Sequence, residues 1–387
     1  MHEKGDPTSA RKANGRLLLD LLRREGTLSR VELAQATGLS GAAVTMLIAE
    51  LIEDGLITEG PQQKSSGGRR PISLQIDYAS RLSIGVKITS RSIEAVLTDL
   101  ATNPIRATSV AISEPEPDIV AAACRQIVME LVPNAAERSG KLIGMGLGLP
   151  GLIDSDAGVC LKSHRFGWDT LPIASIVESA AGVPVSIDND VNAYAIAQQL
   201  FGHGRTHRSM AVFVVGTGLG AALICNGQII RGARFAAGEI GFCRDPHEGA
   251  DKPNWGERFS EPALIDTWQR IGDGSDLVAA VTASNPDALR FLEDIGREIG
   301  ERIANLVAFV DPELVIVSGE AIRFGAPLTD AIRIGFERQF PLTKPELTMD
   351  WQSDYWTRGA ASLVVQGFFS RTGKRAVTQA GRPLGPT

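Results

Sequence analysis

A strand–turn–strand hairpin occurs twice in this chain, and that repetition restricts the fold more than any other feature. The segments "LSIGVKITSRSIEAVLTDL" (82–100) and "SMAVFVVGTGLGAALIC" (209–225) each carry alternating apolar positions on either side of a short turn. The first hairpin is followed by a third strand, "IRATSVAI", then a helix, "EPDIVAAACRQIVMELVPNAA". A buried strand entering a glycine turn comes next, "KLIGMGLGLPGLID", then strand, turn and helix in "VPVSIDNDVNAYAIAQQLFG". After the second hairpin come a further short strand, the long helix "PDALRFLEDIGREIGERIANLVAFV", and a strand ending in a turn, "PELVIVSGEA". Strands alternating with helices give an α/β class. Two hairpin-led halves predict an internal duplication with a ligand cleft between the lobes, near the strand ends.

The two hairpin turns differ in chemistry. The second, Gly216-Thr217-Gly218-Leu219-Gly220, has three glycines, which let backbone N–H groups approach an anion. The same spacing also suits a tight hairpin that only needs positive φ. The first turn, Thr89-Ser90-Arg91-Ser92, has no glycine, and Lys87 stands just before it. Between strand and helix, Asp188, Asn189, Asp190 and Asn192 form a polar cluster able to bracket vicinal hydroxyls. Asp190 could act as a general base. Helix capping would need only one of the four.

The first eighty residues are of another kind. Leu17, Leu18, Leu21 and Leu22 form an apolar helical face that stops at Gly26. Ser29-x-x-Glu32 is a capping box opening a second helix, with Val31, Leu33, Ala34 and Ala36 as its apolar positions. After a "TGLS" turn, Ser40 caps a third helix whose stripe is Val44, Leu47, Ile48, Leu51 and Ile52. The small residues Gly41, Ala42, Ala43 and Thr45 then face outward near its N-terminus, where a helix can meet DNA. The following "LITEGPQQKSSGGRRPISLQID" is a wing whose tip carries Lys64, Arg69 and Arg70, suited to a narrow minor groove. The pattern is a winged helix-turn-helix, with a protein-binding helical bundle as the alternative. Its modest basicity calls for a dimer reading two half-sites of duplex DNA.

Length and composition set the frame. With 387 residues, two or three domains are expected, placed at 1–78, 79–371 and a flexible basic tail at 372–387. No apolar run reaches the roughly 18–20 residues that span a bilayer, and the polar N-terminus lacks a secretory signal, so a cytoplasmic protein is expected. Cys124, Cys160, Cys225 and Cys243 form no CxxC pair. His203 and His207 are four apart, but the glycines around them favour a surface loop over a metal pair. Trp168 is placed beneath the cleft, as core filler or as contact.

Taken together, "GLGLPGLID", "IDNDVNA", "GTGLGAALICNGQIIRGARFAAGEIGF" and "DPELVIVSGE" resemble the ROK family of repressors, open reading frames and kinases. The resemblance runs from the winged helix to about Gly367. It implies an actin-like, sugar-kinase (ribonuclease H-like) domain of two lobes behind an α+β winged helix-turn-helix. Asn189 and Asp190 match the pair that holds sugar hydroxyls, the aspartate being the base in kinases and vestigial here. Glu239 matches a sugar-contacting glutamate, Glu257 falls where a second is expected, and Gly151 would line the sugar side.

Three departures change the expected activity. Family kinases have Asp where Lys87 stands and Gly-Gly-Thr at Thr89 to Arg91, and Glu320 replaces a glycine near the adenosine. Gly216, Thr217, Gly218 and Gly220 are therefore a vestigial phosphate loop, and neither ATP nor Mg²⁺ is expected as cofactor. Phe242 replaces a zinc-binding, sugar-touching histidine, and "ADKPNWGERF" replaces the cysteine run, so structural zinc is not expected either. Trp255 and Phe259 would compensate by packing, and Cys243 with His247 supplies only two ligands. The expected protein is a sugar-responsive DNA-binding regulator, most simply a repressor of carbohydrate-utilisation genes. It would act as a homodimer or homotetramer on an operator. An ATP-dependent sugar kinase with a DNA-binding appendage is the rival, and a regulator that senses a protein partner the third possibility.

Overall fold

The computed structural model describes residues 7–62, 72–245, 252–340 and 343–370. They form two compact units, one of residues up to Ser80 together with those from Val365 onward, the other Arg81–Val364. The last helix, Tyr355–Phe369, begins in the second unit and ends in the first.

The first unit begins with α1 (Pro7–Glu25), followed by the two-residue β1 (Leu28–Ser29), α2 (Arg30–Thr37), α3 (Gly41–Glu53), β2 (Ile57–Gln62) and β3 (Ile72–Ile76). β3 lies between β1 and β2, antiparallel to both. The capping box forms as written: Glu32 N–H donates to Ser29 Oγ (3.3 Å), and Ser29 N–H donates to Glu32 Oε2 (2.7 Å). The Ser29 N–H bond, and after it the Ser29 hydroxyl, hold the Glu32 carboxyl below its usual value. Gly38, at φ 71°, ends α2. The core takes Leu18, Leu19 and Leu22 from α1, Leu33 from α2, and Val44, Leu47, Ile48 and Leu51 from α3. On α1 the stripe is therefore turned slightly from the expected one. Val31, expected to be apolar contact, is 62% exposed, because α2 is so short that Leu33 alone reaches the core.

The second unit opens with β4 (Leu82–Ile88), β5 (Ser92–Asp99), β6 (Pro104–Ala111), α4 (Pro117–Leu131), α5 (Ala135–Lys141) and β7 (Leu142–Leu149). The helix expected over 116–136 ends at Leu131, and Pro133 separates it from α5. A small antiparallel sheet of β8 (Leu152–Asp154), β9 (Val159–Ser163) and β10 (Trp168–Leu171) follows. Then come α6 (Ile173–Ala181), β11 (Val185–Asn189) and α7 (Asp190–Phe201). No turn separates β11 from α7: Asn189 ends one and caps the other.

The second half contains β12 (Met210–Val215), β13 (Leu219–Cys225), β14 (Gln228–Ile229), α8 (Trp255–Phe259), α9 (Glu261–Ile271), α10 (Leu277–Thr282) and α11 (Pro286–Val310). β15 (Leu314–Ser318), α12 (Ala326–Gln339), β16 (Glu346–Met349) and α13 (Tyr355–Phe369) complete it. The two large sheets run β6-β5-β4-β7-β11 and β14-β13-β12-β15-β16. Numbered within each half, both orders are 3-2-1-4-5, with the first three strands antiparallel and the others parallel to the first. This is the expected duplication, seen as topology.

α13 crosses the first sheet at two glycines. A Cβ on Gly85 would lie 1.8 Å from Thr357 O, and one on Gly146 would lie 1.8 Å from Ala360 O. Only glycine admits backbone at that distance. One rung further along, a Cβ on Gly148 would lie 3.4 Å from Asp190 Cα, so the strand ends carry the head of α7.

Candidate functional site

At the head of α7 the four polar residues divide into separate tasks. Asn189 Oδ1 accepts from Val191 N–H (2.9 Å) and Asn192 N–H (3.3 Å), and its Nδ2 donates to Gly151 O (3.1 Å). Asn189 is thus the helix cap, fastened to the glycine turn after β7. Gly151 itself has φ 122°, and a Cβ there would lie 2.2 Å from Lys162 O. Asp188 is 1% exposed and accepts both Arg231 Nε (2.9 Å) and Nη2 (2.6 Å), with Asn192 Nδ2 donating to its other oxygen (3.1 Å). Asp188 and Asn192 therefore tie α7 to the loop after β14 and leave the cleft to Asp190.

Asp190 bonds its own helix through Val191 N–H (2.9 Å) and otherwise keeps its carboxylate for the cleft. Burial raises its pKa, with Glu320 adding to the rise while the Val191 bond and Arg165 oppose it. Burial also raises Glu239, and Asp190 pushes it further. The two carboxyls are therefore electrostatic neighbours. Glu239 heads a single 3-10 turn that ends at Phe242, whose N–H donates back to Glu239 O (3.3 Å). Phe242 is 65% exposed, and its ring centroid lies 6.3 Å from that of His164. His164 and Arg165, on the β9–β10 turn, thus reach the same mouth, and the basic pair in "SHRFGW" is the signal that the sequence reading passed over. Glu257 is exposed and completes a capping box with Asn254: its N–H donates to Asn254 Oδ1, and its Oε2 accepts Asn254 N–H, each at 2.8 Å.

Trp168 resolves as core. It is 5% exposed, its Nε1 donates to Pro115 O (2.8 Å), and its ring packs on Phe166. His203 Nε2 faces Asp350 (3.5 Å) and His207 Nε2 faces Glu346 (3.8 Å), so each histidine has its own carboxylate. Among the described residues no group of three His, Cys, Asp or Glu side chains could hold a metal. The stretch where zinc ligands would be is built differently. Asp245 accepts Trp255 Nε1 (3.1 Å) and pairs with Arg302, while Arg258 reaches Glu298 (2.6 Å). The Arg302 guanidinium lies over Phe259 (4.6 Å) and Trp255 (5.7 Å). These residues do not fit zinc, and His247 lies outside the described residues.

The two hairpin turns are built differently. In the first, Thr89 Oγ1 accepts from Ser92 N–H (2.8 Å) and Arg91 N–H (3.3 Å), so the turn's own hydroxyl consumes the donors that a phosphate would use. Lys87 is half-buried, opposite Glu94 on β5 and Gly148 on β7. In the second, Gly216 N–H donates to Gly218 O (2.9 Å), and Gly216 O accepts Glu261 N–H (2.8 Å). None of Gly216, Gly218 and Gly220 has positive φ, so left-handed backbone is not why glycine occurs there. Space restricts two of them: a Cβ on Gly216 would lie 2.0 Å from Glu320 Oε2 and one on Gly220 3.0 Å from Val191 Cγ2, while one on Gly218 would meet nothing within 4 Å.

In the first unit, Ser40 Oγ accepts Ala43 N–H (3.2 Å) and so caps α3. Gly41, Ala42 and Thr45 are exposed and Ala43 half-buried, as the outward face requires. Thr45 Oγ1 donates to Gly41 O (2.8 Å). Met46, 46% exposed, belongs to the same face and was missed because its hydrophobicity suggests core. Arg11 fastens α1 to α3 through Glu50 (3.0 Å). Lys64, Arg69 and Arg70 lie outside the described residues.

The winged helix-turn-helix DNA-binding profile matches residues 11–58. The xylose repressor of Bacillus spizizenii is 26% identical over 336 residues, covering 85% of this chain and 87% of that protein. A crystal structure of a ROK family transcriptional regulator, a homolog of the E. coli MLC protein, superposes with a TM-score of 0.78 at 23% identity, covering 93% of this chain and 97% of its own. A ROK family glucokinase from Streptomyces griseus, solved with glucose and AMPPNP, superposes at 0.60 and 26% identity, covering 74% of this chain and all of its own. The ROK family profile matches residues 83–364, most of the 387, and the chain belongs to that family.

Proposed function

We propose that this chain is a sugar-responsive, DNA-binding transcriptional repressor without kinase activity. The observation that carries the reading is the closed first turn, with Thr89 bonding Arg91 and Ser92 N–H, in a chain that also has a winged helix-turn-helix. The chain retains a hydroxyl-binding pocket and has filled its triphosphate site. Asp190 and Glu239 hold the sugar, Asn189 and Gly151 fix the wall beside them, and Glu257 offers the oxygen that its cap leaves over.

Sugar hydroxyls donate to carboxylates, and closure of the lobes over the sugar changes the DNA affinity of the winged domain. A ligand shifts this equilibrium only through its different affinities for the two forms. A drop of about 100-fold in DNA affinity, roughly 2.7 kcal/mol, suffices for a switch. The N-terminal turn of α3, with Ser40 to Thr45, enters the major groove, and Lys64, Arg69 and Arg70 reach phosphates or the minor groove. Two copies acting on two half-sites, in the cytoplasm, complete the proposal. The likeness to a xylose repressor supports a sugar effector.

The test is release of a labelled fragment of the protein's own upstream region by a panel of pentoses and hexoses. A sugar that lowers DNA affinity supports the reading; indifference to all of them argues for a partner-sensing regulator. Asp190 also supports a second reading, an ATP-dependent sugar kinase, because its carboxylate still meets the cleft. Incubation with ATP, Mg²⁺ and hexoses decides between them: turnover that disappears in Asp190→Ala would establish the enzyme.

A further inference from the structure

We propose that the effector is an uncharged sugar, and that Glu320 is the residue that bars phosphorylated compounds from the cleft. This rests on the sugar-binding reading above and adds the charge class of the ligand. Gly319, at φ 107°, would place a Cβ 2.4 Å from Val215 O, so only glycine fits, and the chain is steered into the single turn that Glu320 opens. Glu320 then points onto the second hairpin turn, with Oε2 2.0 Å from where a Gly216 Cβ would be. Its Oε1 accepts Trp356 Nε1 (2.9 Å), which fixes the carboxylate in place. Its Oε2 is buried and has no hydrogen-bond partner among the described residues. Its charge adds to the rise of both the Asp190 and the Glu261 carboxyls, after burial in each case.

A phosphoryl group joined to a sugar oxygen near Asp190 would occupy that same space. It would face Asp190, Glu239 and Glu320 with Arg165 as the counter-charge, and the glycine turn's Gly216 N–H is already bonded to Gly218 O. A dianion there is repelled by the carboxylates and finds few donors. A neutral hydroxyl meets the opposite situation, because carboxylates accept what it donates. At the mouth, the exposed Phe242 ring, beside His164, offers an apolar face to the C–H side of a sugar ring.

Binding of D-xylose, D-glucose, D-mannose and N-acetyl-D-glucosamine to the full chain, each beside its terminal phosphate ester (5-phosphate for the pentose, 6-phosphate for the others), tests this by calorimetry. The expected result is a parent sugar that binds at least about ten-fold more tightly than its ester. Glu320→Gln keeps an acceptor for Trp356 and should narrow that gap to within about three-fold, leaving the parent's affinity unchanged. Phe242→Ala should weaken the parent sugar about five-fold or more, with Phe242→Trp retaining it. An ester that binds as well as its parent, or a gap that Glu320→Gln does not move, would overturn the inference while leaving sugar binding intact. Binding of neither sugars nor esters would remove the sugar-binding reading and this one with it.

Discussion

On the proposed function, Asp190 is one side chain that costs the fold and serves the site. Burial and the Glu320 charge raise its pKa, and Glu239 is raised beside it. A carboxyl raised in the folded state contributes most stability below its ordinary value, and that contribution is lost as pH rises through the folded value. At neutral pH the raised Asp190 carboxyl therefore opposes folding. Asp190→Asn should raise the melting temperature by a few degrees at pH 7, flatten its decline from about pH 4 upward, and abolish sugar-induced release of DNA. A melting temperature that fell at pH 7 would contradict the electrostatic account. At this scale the sequence was informative about type and less so about task. The polar cluster at 188–192 was readable as more than a cap, but its division was not. That Asp188 belongs to Arg231, 43 residues on, depends on packing that no local pattern encodes. Glu320 and Phe242 stood out as departures, yet their reach toward Gly216 and His164 required coordinates.

Among the elements, the short helices of the first unit follow local chemistry closely. Ser29 and Ser40 cap as their spacing dictates, because a cap involves residues three apart and nothing distant. Ser29→Ala removes a buried cap and should cost about 1 kcal/mol in denaturant unfolding, with DNA affinity falling as α2 loosens. The glycines under α13 are the contrary case. "GMGLG" announces a buried strand, yet the reason for Gly146 is a helix more than two hundred residues later. Gly146→Ala would drive a methyl into Ala360 O, so α13 or the sheet must move, at a cost of at least about 3 kcal/mol. A variant as stable as the parent would mean that the helix sits further from the sheet. The run through Pro133 is a smaller miss, in which good helix formers on both sides outweighed the one residue that breaks the bond ladder.

Across the whole molecule, the duplicated hairpins led to the right architecture because each sheet repeats one order, 3-2-1-4-5, and hairpin pairing is local. What pattern reading did not anticipate is α13, which begins in the second unit and ends in the first. At its start, Tyr355 stacks on Tyr194 of α7 (5.4 Å between centroids), one turn from Asp190, and Trp356 donates to Glu320. At its end, the Arg23 guanidinium of α1 lies 5.9 Å from the Phe369 ring. α13 is one continuous helix whose first turn touches the head of α7 and Glu320, so a change at that turn tests whether sugar and DNA binding are coupled through it. Trp356→Phe keeps the ring and removes its hydrogen bond to Glu320, leaving a buried acceptor unpaired at a cost of about 1–3 kcal/mol. If α13 carries the signal, the variant should bind sugar and DNA separately within about three-fold of the parent, while the sugar's effect on DNA affinity falls about ten-fold. Measuring the four affinities, with and without each ligand, closes the thermodynamic cycle. An unchanged coupling factor would show that α13 only joins the units and that the sugar's message travels by another route.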